Sequence, residues 1–435
     1  MSGGKVSGLG KRTCDVAVIG GGPAGISACL ELSKSSSLDI ALFESEEELG
    51  GIPRSSHIFF GLRDLKGIYT GRRYAGELTD LVRKTSVEIH MKSTVVGIIP
   101  GSRGGRHQIN VTSPEGLDTY ESQFVLLATG CYESSRERRF IPGTRPAGVF
   151  TTGTLQKMVN LQGLRPGRRA VIVGSEHVAF SSALTLRRAG VSVVGMVEED
   201  TELQTYPIVA RAMSLWMGFP VYTGTSVKAV IGARRVEGIE LVAGKNGGVF
   251  QLPCDMVVIT GKFRPDSALI FDSPIEEDPL TSAPIVDLNL QTSVPTVFAA
   301  GNILRGANMH DLCALEGRQA ARSILRSLKA PDIQNERYIP IKVEPPIRYV
   351  VPQRIIPTQA KRHRATWFSP GVSIQLAHTT KNIVLEAFSN NERVWRKSYS
   401  RLIANTTIPL PIERFDWSRV DPEQGIALRA KGPNS

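Results

Sequence analysis

The stretch Cys14-Asp15-Val16-Ala17-Val18-Ile19-Gly20-Gly21-Gly22-Pro23-Ala24-Gly25 decides how the chain is read. Six mostly apolar residues form a short run of strand character, and they enter a turn that satisfies G-x-G-x-x-G. A helical stretch from Ile26 to Ser33 follows, and a second apolar run, Asp39 to Phe43, ends in Glu44. Each piece has a physical task. Gly20 permits the tight turn, Gly22 lets the backbone approach a pyrophosphate, and Gly25 allows close packing of helix on strand. The new helix turns its free N–H groups and positive dipole end toward the phosphates. Glu44, nineteen residues past Gly25, can accept hydrogen bonds from ribose hydroxyls. With strand, helix, second strand and acid all in order, the segment reads as a dinucleotide-binding βαβ unit.

A second unit of the same kind follows. Arg169 to Val173 is a strand, Gly174-Ser175-Glu176-His177-Val178-Ala179 is the turn, and Val191 to Val197 is a strand ending in Glu198. Gly174 and Glu198 are its candidate nucleotide ligands. The middle glycine of the fingerprint is replaced by Glu176, whose bulk and negative charge oppose a pyrophosphate there. Two alternatives stay open: a vestigial nucleotide fold, or an NAD(P) site in which Glu198 prefers NAD by repelling a 2′-phosphate.

Two further segments carry a resemblance. Phe124-Val125-Leu126-Leu127-Ala128-Thr129-Gly130 resembles the strand and A-T-G turn of flavoprotein reductases, and Thr292 to Asn302 resembles their second FAD motif. In those families the last residue is commonly Asp, bonded to the ribityl chain; here it is Asn302. From Asp15 to Leu328 the sequence resembles the two-dinucleotide-binding flavoproteins, which include the pyridine nucleotide–disulfide oxidoreductases. Gly51-Ile52-Pro53-Arg54, His57, Phe60-Gly61 and Ile141 to Thr154 resemble the FAD subunits of dye-linked amine, proline and opine dehydrogenases and of hydrogen cyanide synthase. The resemblance implies FAD held by Gly20, Gly22, Pro23, Ala24, Gly25, Glu44, Gly51, Arg54, Ala128, Thr129, Gly130, Gly301, Asn302, Asp311 and Leu312. It also implies that the helix from about Asp311 to Leu328 aims its N-terminus at the flavin ring. His310 at that start, His57 and Cys131 are the candidate catalytic residues. His310 is either a flavin-edge proton donor or a residue of the helix cap, and Cys131 is either a redox thiol or a packed residue of the turn.

The resemblance has limits. Disulfide reductases carry C-x4-C after the double glycine, whereas Gly50-Gly51 here leads into Ile52-Pro53-Arg54-Ser55-Ser56 without a cysteine. That excludes thiol–disulfide exchange at that place. The five cysteines are scattered, with no spacing suited to zinc or an iron–sulfur cluster, so no metal is expected.

The expected fold class is α/β. Two Rossmann-like three-layer nucleotide-binding domains are expected, the second inserted in the first, with a small C-terminal β domain. The boundaries read as a flexible arm over 1–13, an FAD-binding domain split over 14–150 and 266–330, and an NAD(P)-like domain over 151–265. A Pro-rich linker over 331–346 and a β-rich, antiparallel domain over 347–435 complete them. No apolar run approaches a membrane span, and the N-terminal residues lack the apolar core of a signal peptide, so a cytoplasmic location is expected. The net charge is +11. From Pro331 onward 16 Lys/Arg face nine Asp/Glu, but no nucleic-acid-binding motif accompanies them. The reading is an FAD-dependent oxidoreductase, a flavoprotein subunit of a dehydrogenase acting on an amine, amino acid or hydroxy acid. Its partners are a small-molecule substrate or a redox partner subunit in a hetero-oligomer. The alternatives are a stand-alone NAD(P)H-dependent reductase and a flavin-bearing structural subunit with catalysis on a partner chain.

Overall fold

The computed structural model describes residues 12–56, 59–102, 104–244, 247–329, 337–362 and 371–432. The run ending at Ile19 becomes the strand Arg12–Ile19 at the centre of a seven-stranded sheet. Ile40–Phe43 and then Glu88–His90 pair parallel on one side of it, and Gly116–Leu127 pairs parallel on the other. The long strand Gly116–Leu127 changes partners along its length. Its first half pairs antiparallel with His107–Ser113, which in turn pairs with Thr94–Ile99, while Val125 to Leu127 pair parallel with Val297–Ala299. All four residues of Ile40–Phe43 and all three of Val297–Ala299 are buried, as expected of parallel strands covered on both faces. Burying each such Ile, Leu or Phe side chain contributes about 1.5–3 kcal/mol.

The helix Pro23–Leu32 is buried along nearly its whole length, and it packs against the helix His310–Lys329. The approach is close because a Cβ at Gly317 would collide with the carbonyl oxygen of Ala24. Glu31 fastens the pair by accepting from Arg322 Nε at 2.8 Å.

The chain leaves this unit through Cys131–Glu133 and returns through Phe263–Pro265, and these two strands pair antiparallel. Between them lies a five-stranded parallel sheet in the order Val149–Thr151, Met256–Ile259, Arg169–Val173, Ser192–Val197, Val221–Tyr222. An antiparallel trio, Thr225–Ile231, Gly238–Ala243 and Val249–Pro253, extends it. The fold is thus mixed α/β, with the parallel sheets of two nucleotide-binding units, one inserted in the other, and a C-terminal β region.

That C-terminal region holds a five-stranded and a three-stranded sheet around its own apolar core. Tyr349 and Val351 reach out of it into the core of the first unit. Two expectations need correction here. The linker expected over 331–346 contains the strand Ile339–Val343, which lies inside the five-stranded sheet. The region is also not wholly antiparallel, since Ile339–Val343 pairs parallel with Ile426–Lys431. Among the described residues no helix is long and apolar enough to cross a membrane.

Candidate functional site: one open and one filled nucleotide cradle

At the end of Arg12–Ile19 the backbone turns at Gly20 with φ +107°, and a Cβ there would strike the carbonyl oxygen of Ala128. A Cβ at Gly25 would in turn strike the carbonyl oxygen of Gly20, so the helix rests directly on the turn. Gly22 differs. It caps the helix Pro23–Leu32 with Pro23 at the helix start, and among the described residues nothing lies within 4 Å of a Cβ built on it. Open space at a helix N-terminus beside an apolar sheet is where a pyrophosphate fits. Ala24 is buried against Gly301 and Gly317, and Gly51 packs over Gly22.

Glu44 is buried at the mouth of this cradle. Its Oε2 accepts from the Gly21 N–H at 2.8 Å, and its Oε1 accepts from the Glu46 N–H at 2.8 Å. These bonds fix the carboxylate beside the glycine turn, where a ribose hydroxyl could reach it.

The opposite wall comes from distant segments. Ala128, Thr129 and Gly130 close the long strand. The Thr129 hydroxyl donates to the Asp266 carbonyl oxygen at 2.7 Å, and the Gly130 carbonyl oxygen accepts from the Asp266 N–H at 3.0 Å. The Gly301 N–H donates to Glu316 Oε2 at 3.1 Å. Asn302 Oδ1 accepts from the Asn308 N–H at 2.9 Å and from Cys313 Sγ at 3.1 Å. With both donors on the oxygen, the Asn302 amide nitrogen faces the other way, on the side of Cys131. There it meets the Cys131 thiol. The open pyrophosphate cradle and the fixed acid together fit FAD.

The Leu312 N–H donates to Asp311 Oδ1 at 2.9 Å. Asp311 is buried and also pairs with Arg63 at 3.4 Å. His310 is buried with its ring edge-on to Phe60 at 4.6 Å between centroids. Burial pulls its pKa down to about 4, so the imidazole is neutral near pH 7 and is a poor proton donor. Burial, with Glu133 adding to it, pushes the Cys131 thiol up to about 12, which opposes a thiolate role. All five cysteines are free. Arg54 donates to Glu48 Oε2 at 2.7 Å, Glu46 Oε2 at 3.2 Å and the Glu48 carbonyl oxygen at 3.1 Å. Its charge is therefore satisfied within its own loop. His57 lies outside the described residues.

The second cradle has the same outline and different contents. Glu176 caps the helix His177–Arg188, and its side chain folds back over the turn. Its Oε2 accepts from the Thr260 hydroxyl at 2.8 Å. A Cβ at Gly174 would lie 2.6 Å from Oε2, and one at Gly261 would collide with Oε1. The carboxylate thus fills the glycine-lined space in which a pyrophosphate would sit. Burial pushes this carboxyl up, with Arg139 opposing the shift, and Arg139 Nη1 donates to the Thr260 carbonyl oxygen at 2.6 Å. Glu198 is engaged as well. It accepts from the Ser175 hydroxyl at 2.5 Å and from the Asp200 N–H at 2.9 Å, and burial raises its pKa to about 7. These residues do not fit a dinucleotide as they stand.

Thr260, Gly261 and Arg139 escaped the sequence reading. A signal for two of them was present: Ile259-Thr260-Gly261 ends its strand as Ala128-Thr129-Gly130 ends the corresponding strand of the first unit.

Comparison with known proteins shows the family. The profile of the pyridine nucleotide-disulphide oxidoreductases matches residues 14–320. Hydrogen cyanide synthase subunit HcnB of Pseudomonas aeruginosa is 30% identical over 186 residues, which span 42% of this chain and 38% of that protein. An opine oxidase subunit of Agrobacterium tumefaciens is 25% identical over 347 residues, 74% of this chain and 67% of the relative. Among solved structures, thioredoxin reductase of T. acidophilum superposes with a TM-score of 0.63 at 20% identity, covering 74% of this chain and all of that one. L-proline dehydrogenase from P. horikoshii gives 0.54 at 22% identity over 74% of this chain and 57% of the other. The two structures share the fold. The chain belongs to the pyridine nucleotide-disulphide oxidoreductase family of FAD- and NAD(P)-binding oxidoreductases.

Proposed function

We propose that this chain is the FAD-carrying subunit of a dehydrogenase that oxidises an amine, an amino acid or a hydroxy acid, and that nicotinamide dinucleotides do not feed it. The observation that carries this reading is the contrast between the open space at Gly22 and the Glu176 carboxylate filling the equivalent space of the second unit. The names of two relatives, each a subunit of hydrogen cyanide synthase or of opine oxidase, support it.

In this reading the pyrophosphate lies at the N-terminus of Pro23–Leu32, stabilised by the helix dipole. Glu44 would hold the adenosine ribose, and Asn302 the ribityl chain. FAD, when bound, supplies a two-electron acceptor for hydride.

The test is anaerobic absorbance of the flavin band after adding NADH, then NADPH, then dithionite as a control. Bleaching by dithionite alone is the expected result. Rapid bleaching by either nucleotide would make the chain a reductase in its own right and end this proposal.

A further inference from the structure

One contact of the C-terminal region with the first unit is polar and lies close to Asn302. Thr407 stands just before the short strand Ile408–Pro409. Its hydroxyl donates to Asn308 Oδ1 at 2.9 Å. Asn308 Oδ1 also accepts from the Met309 N–H at 2.9 Å, at the entrance of the helix His310–Lys329. The Asn308 N–H in turn holds Asn302 Oδ1. A continuous chain of hydrogen bonds therefore runs from Thr407 through Asn308 to Asn302.

The segment that carries Thr407 is itself anchored. The Ala404 N–H donates to the Thr379 hydroxyl oxygen at 3.1 Å, and that hydroxyl donates to the Leu203 carbonyl oxygen at 3.3 Å. Lys381 and Arg401 grip Glu202 at 2.6 and 3.0 Å. Thr407 thus approaches Asn308 from a fixed direction.

We propose that Thr407 is a positioning residue of the FAD site, which through Asn308 holds the Asn302 side chain in one orientation. The proposal rests on the reading that the first cradle binds FAD. Without the Thr407 hydroxyl, the Asn308 side chain loses one of its two donors and the loop before His310 loosens. The Asn308 N–H then holds Asn302 Oδ1 less firmly, leaving the weaker Cys313 Sγ donor to resist a turn of the amide that would present its oxygen in place of its N–H. Its partner would meet a lone pair in place of an N–H, which weakens binding rather than leaving it neutral.

The experiment removes flavin from the full chain and titrates the apoprotein with FAD, following flavin fluorescence. Thr407→Val keeps the shape and deletes the hydroxyl, and it should weaken FAD binding about fivefold, the worth of one ordinary hydrogen bond. Thr407→Ser restores the hydroxyl and should bind like the wild type. Asn308→Ala removes the acceptor and should match Thr407→Val, which guards against a folding defect peculiar to one variant. Wild-type affinity in Thr407→Val overturns the proposal, as does Thr407→Ser binding as weakly as the valine variant. If the wild-type apoprotein takes up no FAD at all, the reading of the first cradle fails, and the inference falls with it.

Discussion

The two nucleotide-binding units share a parallel strand–turn–helix–strand core, and the middle position of the turn is where their cradles differ most. At Gly22 there is only a hydrogen, and the space in front of the helix stays open. At Glu176 a carboxylate occupies that space, bonded to Thr260 and pressed between two glycines. Both units keep the first glycine of the turn, Gly20 and Gly174, while the third, Gly25, is replaced by Ala179 in the second unit. The fold thus survives changes in the fingerprint, and its middle position decides what the cradle can hold.

The largest effect should come from making the first cradle resemble the second. Gly22 has ordinary extended backbone angles and no neighbour near a Cβ, so Gly22→Glu should fold. It should emerge without flavin, because a carboxylate would stand where the pyrophosphate binds. Yellow protein with full flavin content would show that the first cradle has been misread.

The reverse change sharpens the comparison. Glu176→Gly empties the second cradle, and binding of NADH measured by calorimetry should strengthen by about tenfold or more. A buried carboxylate against a pyrophosphate costs more than the ~1.4 kcal/mol that a factor of ten represents. Unchanged affinity would mean that the engaged Glu198 and its loop close the site on their own.

The smallest effect concerns Glu198, whose carboxyl burial raises to about 7 from its ordinary value of 4.5. A raised acid contributes stability while it is protonated. That contribution is full below the ordinary value and is lost as pH rises through 7. Glu198→Gln cannot ionise. Its melting temperature should therefore exceed that of the wild type by about 2–4 °C above neutrality, with the difference vanishing toward roughly pH 4. A constant offset across that range would show that ionisation of Glu198 is not the cause.

Much of the fold was legible because it rests on local signals. The first βαβ unit is a run of apolar residues, a glycine turn and a helix, close together in sequence, and it forms where expected. The strand Ile339–Val343 was missed because Pro340 sits inside it, and proline ordinarily argues against a strand interior. Ile426–Lys431 mixes alanine with basic residues, so its alternation is faint. The conflict at Glu176 was visible as charge and bulk. Its partners were not, because Thr260 and Gly261 follow another strand, far along the chain. Burial decides the protonation of His310 and Cys131, and burial is a property of the assembled fold. The role proposed for Thr407 lay further out of reach, since it depends on how the C-terminal sheet meets the loop before His310.

The strand Gly116–Leu127 changes partners midway, and this has a consequence for how the molecule is made on the ribosome. Its first half finds its mate, His107–Ser113, as soon as it emerges. Its second half must wait for Val297–Ala299, and the helix that covers Ala24 arrives later still. By then all the strands of the inserted unit have left the exit tunnel. The part of the chain that comes first in sequence is thus completed after the part it surrounds, and the first cradle acquires its last wall only when the residues from Gly301 to Cys313 have been added.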